Sequence, residues 1–168
     1  VDARLAGSSY VVFGKPSGFA PTFDLSRLDG SNGFVINGIN RGDQLGYSVS
    51  SAGDVNGDGF DDLLIGAARA QVNGQLNVGS AYLVFGKAEG FNATLNLEEL
   101  DGSNGFVING LAGERAGFSV SNAGDINSDG IDDLIIGAPG SYASNSSGAS
   151  YVVFGGTDVG ASGSIDLS

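Results

Sequence analysis

The chain has 168 residues, with 30 glycines, three prolines and no cysteine, histidine or tryptophan. Seven basic residues against 19 acidic ones give a net charge of −12, which excludes a phosphate-binding face and with it nucleic acid as a partner. No disulfide can supply stability, no signal peptide, transit peptide or membrane span is visible, and an apolar fraction of 41% with so many glycines predicts an all-β domain rich in tight turns.

Taken in order, the chain predicts a strand over 8–14, a loop with a brief extension at Thr22-Phe23-Asp24-Leu25, and a helical turn at Leu25-Ser26-Arg27-Leu28. Strands follow over 33–38, 45–52 and 62–67, and the cycle restarts at 79–86. Apolar faces fall on Val11, Phe13, Val35, Val49, Leu64 and their equivalents. The segments 68–78 and 139–148 differ between copies as surface loops do, and Asn73-Gly74 signals a turn.

Repetition organises the whole. Tyr10-Val11-Val12-Phe13-Gly14-Lys15 returns at Tyr82 and, without the lysine, at Tyr151, offsets of 72 and 69. The run from Leu28 to Gly38 returns at Leu100 to Gly110. This divides the chain into a partial unit 1–44, a repeat 45–115 and an incomplete repeat 116–168, all within one domain. A four-stranded antiparallel unit cannot bury itself alone, so the units must stack, and radial stacking gives a β-propeller.

The most informative stretch runs from Gly53 to Ala67, Gly-Asp-Val-Asn-Gly-Asp-Gly-Phe-Asp-Asp-Leu-Leu-Ile-Gly-Ala, and returns from Gly124 to Ala138. Every acidic or amide residue keeps its place while the spacers change. Asp54, Asn56, Asp58 and Asp62 hold loop positions one, three, five and nine, where side-chain oxygens converge on a cation if the backbone turns tightly. Gly59 suits that turn, and the Phe60 carbonyl at position seven is a further ligand. Asp125, Asn127, Asp129, the Ile131 carbonyl and Asp133 repeat the set around Gly130. Oxygen-only ligation excludes the usual zinc and soft-metal sites, and the ligand count favours Ca2+ over magnesium, with two sites.

Two plainer readings compete with this one. An EF-hand begins in the same way but needs a bidentate Glu at position twelve, where this chain has Ile65 and Ile136, and it needs flanking helices where this chain has strands. Asp-Gly pairs are also ordinary hairpin turns, but a turn does not require repelling carboxylates at matched positions twice over. Asp61 and Asp132, next to the ninth position, are expected to face away as second-shell or solvent residues.

Gly46-Tyr47-Ser48-Val49 and Gly117-Phe118-Ser119-Val120, followed by the metal loop and then Gly66-Ala67-Ala68 or Gly137-Ala138-Pro139, resemble FG-GAP repeats. These are the units of the integrin α-subunit β-propeller and of many bacterial surface proteins. The chain departs from the pattern at Ala68, where the family often has Pro, and at Leu45 and Ala116, where it has an aromatic. The resemblance implies β-propeller blades with calcium in hairpin loops on one face, and it implies a protein partner more weakly. At about two and a third repeats the chain does not close a ring of roughly four to eight blades alone. It is therefore expected to be part of a longer propeller or a homo-oligomer.

The function expected is that of an extracellular calcium-binding module for adhesion or protein–protein interaction, with a protein or glycan ligand and no catalytic residues, since weak calcium sites fill where calcium is millimolar. The rival is a carbohydrate-binding or carbohydrate-active propeller using the acidic pairs Asp61-Asp62 and Asp132-Asp133, against which stand the missing histidine, cysteine and tryptophan. Arg41-Gly42-Asp43 matches an adhesion tripeptide but lies outside the repeat plan. Asn92-Ala93-Thr94 and Asn145-Ser146-Ser147 match the glycosylation pattern.

Overall fold

The computed structural model describes residues 6–140 and 147–168. Short β-branched runs separated by glycines in left-handed conformation give eleven strands among them. They are β1 (Ser8–Val12), β2 (Gly33–Asn37), β3 (Leu45–Gly53), β4 (Asp62–Ala67), β5 (Ser80–Val84), β6 (Thr94–Asn96), β7 (Gly105–Asn109), β8 (Ser119–Gly124), β9 (Asp133–Ala138), β10 (Ala149–Val153) and β11 (Ser164–Asp166). Single 3-10 turns at Leu25–Arg27 and Leu97–Glu99 are capped by the side chains of Asp24 and Asn96.

Three sheets result, in the orders β1-β2-β6, β3-β4-β5-β7-β11 and β8-β9-β10. The middle one is an antiparallel meander of four strands, the blade expected from the sequence, with a fifth strand added in parallel at its outer edge. The addition is systematic. Thr94–Asn96 of the second repeat pairs in parallel with β2 of the first sheet, just as Ser164–Asp166 pairs with β7. Each repeat thus lends three residues to the preceding blade, and nearby the Phe91 ring stacks on Phe34 at 4.4 Å. The matching segment Thr22–Asp24 forms no strand, since no preceding sheet among the described residues offers it an edge. All of this is all-β, with blades that curve partway round an open ring.

The core lies between sheets. One apolar cluster joins Leu64, Leu83, Phe106 and Ile108 of the middle blade to Leu134 and Ile136 of the third sheet. The other joins Ile65, Tyr82 and Val84 on the opposite face to Phe34 and Ile36 of the first sheet. The middle blade is therefore covered on both sides, which is why Ser80–Val84 is buried at every residue and reads as an unbroken run instead of an alternation.

Two face assignments from the sequence are corrected. Val11 stands opposite Phe34, so the core face of β2 carries Phe34 and Ile36, while Val35 pairs with the half-exposed Tyr10 and is only half-buried. Val49 is 61% exposed. It shares a face with Ile65 and Tyr82, but the first sheet reaches inward only as far as β1 among the described residues. A cleft of about 570 Å³ therefore stands between β1 and β3 with Val49 on its wall.

Candidate metal centre

The two acidic loops lie between β3 and β4 and between β8 and β9, at the same end of neighbouring antiparallel pairs. Their tight turns rest on Gly59 and Gly130, with φ of 90° and 91°. A second left-handed residue precedes each, Gly57 at 75° in the first loop and Ser128 at 62° in the second. Serine carries a Cβ into a conformation that costs L residues about 1 kcal/mol. Ser128→Gly is accordingly expected to stabilise the chain by up to about 1 kcal/mol, read as a shift in urea midpoint; an unchanged or lowered midpoint would show the backbone there to be unstrained.

Inside each loop the side chains answer the backbone. Asp54 accepts from the amides of Asp58 and Gly59 at 2.9 Å, Asn56 accepts from the Asp58 amide at 3.0 Å, and Asp58 accepts from Phe60 at 2.9 Å. The Asn56 amide group donates to Asp58 at 2.9 Å. Asp125, Asn127, Asp129 and Ile131 repeat these contacts bond for bond. Positions one and three thus share one amide, and the side chain at position three ties them to the carboxylate at position five. Position seven differs between copies, since Phe60 is 43% exposed and Ile131 is half-buried.

Position nine is held differently. Asp62 is fully buried and gives one carboxylate oxygen to the Val55 amide at 3.0 Å and the other to Gly86 at 2.8 Å. Asp133 does the same with Ile126 at 3.0 Å and Gly155 at 2.9 Å. Burial pushes the Asp62 carboxyl up to about 6 against its backbone hydrogen bonds, and the charges of Asp58 and Asp54 add to the rise. In this arrangement no three carboxylates among the described residues converge on one point. The donor set still suits a hard dication, because it is all oxygen, carries three anionic groups per loop, and brings Asp54 and Asn56 oxygens to a shared amide.

The acidic doublets divide. Asp61 is exposed, as expected. Asp132 is not a solvent residue: it is half-buried against the first loop, accepting from the Asp54 amide at 3.1 Å while its own amide donates to the Asp54 carbonyl at 3.2 Å. A side chain at Gly53 would overlap the Asp132 carboxylate. The signal for this contact was the repeated Asp-Asp doublet, but only the stacking of repeats reveals what the first aspartate faces.

Other candidates separate equally clearly. Asp43 is 2% exposed and accepts from the Asn40 amide at 2.9 Å; burial pushes the Tyr82 phenol up to about 12, and the Asp43 charge adds to the rise. The carboxylate that an adhesion tripeptide must present is therefore inside the protein. Tyr151, at the position of Tyr82 in the next repeat, donates its hydroxyl to the Glu114 carboxylate. Asn92 is exposed, whereas Asn145 lies outside the described residues. No helix among the described residues is long and apolar enough to cross a membrane.

Comparison with known proteins agrees with the repeat structure. A model of the FG-GAP repeat matches residues 45–84 and 116–153. Integrin alpha-PS2 of Drosophila melanogaster is 33% identical over 138 residues, 79% of this chain and 9% of the relative. Phosphatidylinositol-glycan-specific phospholipase D of Bos taurus is 36% identical over 114 residues, 67% of this chain and 13% of that protein. Integrin alpha pat-2 of Caenorhabditis elegans is 31% identical over 104 residues, 62% of this chain and 8% of the relative. The chain spans about a tenth of the length of these relatives. With matched hairpin loops on adjoining antiparallel sheets and these relatives beside it, the chain is a member of the FG-GAP repeat family, carrying two such repeats in an incomplete β-propeller.

Proposed function

We propose that this chain is a calcium-stabilised propeller segment that serves protein–protein interaction outside the cell, with one Ca2+ in each hairpin loop. The observation that carries it is the duplicated loop, three carboxylates and an amide in the same hydrogen-bonded places twice. Asp54, Asn56, Asp58, the Phe60 carbonyl and Asp62 would hold the first ion, and Asp125, Asn127, Asp129, the Ile131 carbonyl and Asp133 the second. The ion supplies positive charge that offsets carboxylate repulsion and fixes the loop. The relatives support an extracellular interaction role, since integrins stand among them. Catalysis is not proposed. Several relatives are phospholipases by name, but here Asp62 and Asp133 accept from backbone amides, Asp132 accepts from the neighbouring loop, and the sequence has no histidine or cysteine to work beside the exposed Asp61.

Calorimetric titration with calcium tests this reading and is expected to give two ions per chain. Heat indistinguishable from dilution at millimolar calcium would sink it. The pH dependence has a definite sign. The Asp62 carboxyl sits at about 6 when folded, above its ordinary 3.8, so its burial lowers the stability of the ion-free chain progressively as pH rises through that window. Protons then compete with calcium for it, and affinity is expected to fall as pH is lowered from 7.5 to 5.5. A titration giving the same affinity at both ends would remove Asp62 from the ligand set.

A further inference from the structure

We infer that the two loops bind their ions as a coupled pair, with Asp132 as the positioning residue through which occupancy of one loop raises the affinity of the other. This rests on the calcium reading above. Asp54 is the first ligand of the first loop, and both polar groups of its backbone are tied to one residue of the second loop: its amide to the Asp132 carboxylate at 3.1 Å and its carbonyl to the Asp132 amide at 3.2 Å. Asp132 in turn is the immediate neighbour of Asp133, the ninth-position ligand of the second loop. A shift that orders Asp133 is transmitted through one peptide unit and two hydrogen bonds to the residue that begins the other site.

The junction is wider than this pair. The Val55 carbonyl, one residue beyond Asp54, accepts from the Gly156 amide at 2.9 Å, and Gly156 adjoins Gly155, which donates to Asp133. The first loop is therefore held from two directions by the residues that hold the ligands of the second. Asp61, which occupies the position of Asp132 in the first loop, is exposed, so the asymmetry is built into the stacking and is absent from the loop sequence itself. Ordering one loop removes conformational freedom that the other would otherwise lose on binding, and that saving is positive coupling.

The test is a calcium titration of the full chain followed by amide resonances, with Gly59 reporting the first loop and Gly130 the second. Silencing the second loop with Asp125→Ala and Asp129→Ala is expected to weaken calcium at Gly59 about fivefold or more. Asp132→Ala is expected to weaken the first loop, and silencing the second loop on that background should then cost the first loop less than in the unsubstituted chain, the remainder running through Gly155 and Gly156; an undiminished loss would overturn the role of Asp132. Asp132→Asn retains an oxygen for the Asp54 amide and should keep the coupling. Because coupling is reciprocal, Asp58→Ala in the first loop must weaken Gly130 by a matching factor, a measurement that needs no change at Asp132. Equal affinities at Gly59 with the second loop intact or silenced would overturn the inference while leaving calcium binding in place. Resonances that ignore calcium altogether would overturn both.

Discussion

Excess chelator is expected to lower the thermal midpoint of this chain by about 10–20 °C. An ion that binds only the folded chain stabilises it by about 2.7 kcal/mol when present at a hundred times its dissociation constant, so two sites give about 5 kcal/mol, and each kcal/mol moves the midpoint of a domain this size by about 2–4 °C. The effect should be large here for a structural reason. The loops gather eight of the 19 acidic residues at one end of two adjoining hairpins. Two of those acids, Asp62 and Asp133, are wholly buried, where an unpaired charge is costly. The sequence contains no disulfide to compensate. Differential scanning calorimetry with calcium and with chelator decides the matter, and superimposable traces would mean that the hydrogen bonds within the loops suffice to hold them. Magnesium offered alone should recover less of the midpoint than calcium, since it demands a smaller octahedral cage.

How far the sequence revealed this arrangement depends on whether the interaction was local. The hairpins at Leu45–Ala67 and Ser119–Ala138 were legible because ligand spacing, turn glycines and flanking apolar runs lie within some twenty residues and agree with one another. The Asn73-Gly74 turn was legible for the same reason, and its two flanking residues, Val72 and Gln75, exchange backbone bonds as expected. Faces were harder. Leu64 lies in the core as expected, but alternation alone does not say which side of a strand a neighbouring sheet covers: β2 turns Phe34 and Ile36 inward in place of Val35, and Val49 stands beyond the reach of the first sheet. The parallel edge strands β6 and β11 escaped notice because three residues carry no period, and their partners are some sixty residues away in another blade. Asp132 belongs with them: its role exists only once two loops are stacked.

The sharpest consequence of that stacking concerns two glycines that the sequence cannot tell apart. Gly66 and Gly137 occupy the same position in the strand after each loop, and neither has a left-handed backbone. A methyl at Gly66 would overlap the backbone carbonyl of Gly117 in the adjoining blade, the same carbonyl that accepts the Ser48 hydroxyl at 2.9 Å. A methyl at Gly137 would meet only the Ser119 hydroxyl, the far end of a side chain that can rotate away. Gly66→Ala must therefore push two blades apart or distort a backbone, and is expected to cost about 3 kcal/mol or more, at the upper end of what overpacking does. Gly137→Ala is expected to cost less than about 1 kcal/mol, because it meets no second blade and alanine adds strand propensity. Urea denaturation of the two variants side by side measures the difference. Equal losses would mean that the clash lies within each hairpin and that the packing of β4 against the segment leading into β8 tolerates a methyl. A large loss at Gly66 alone would establish that contact between consecutive repeats, and not the hairpin, sets the requirement for glycine there.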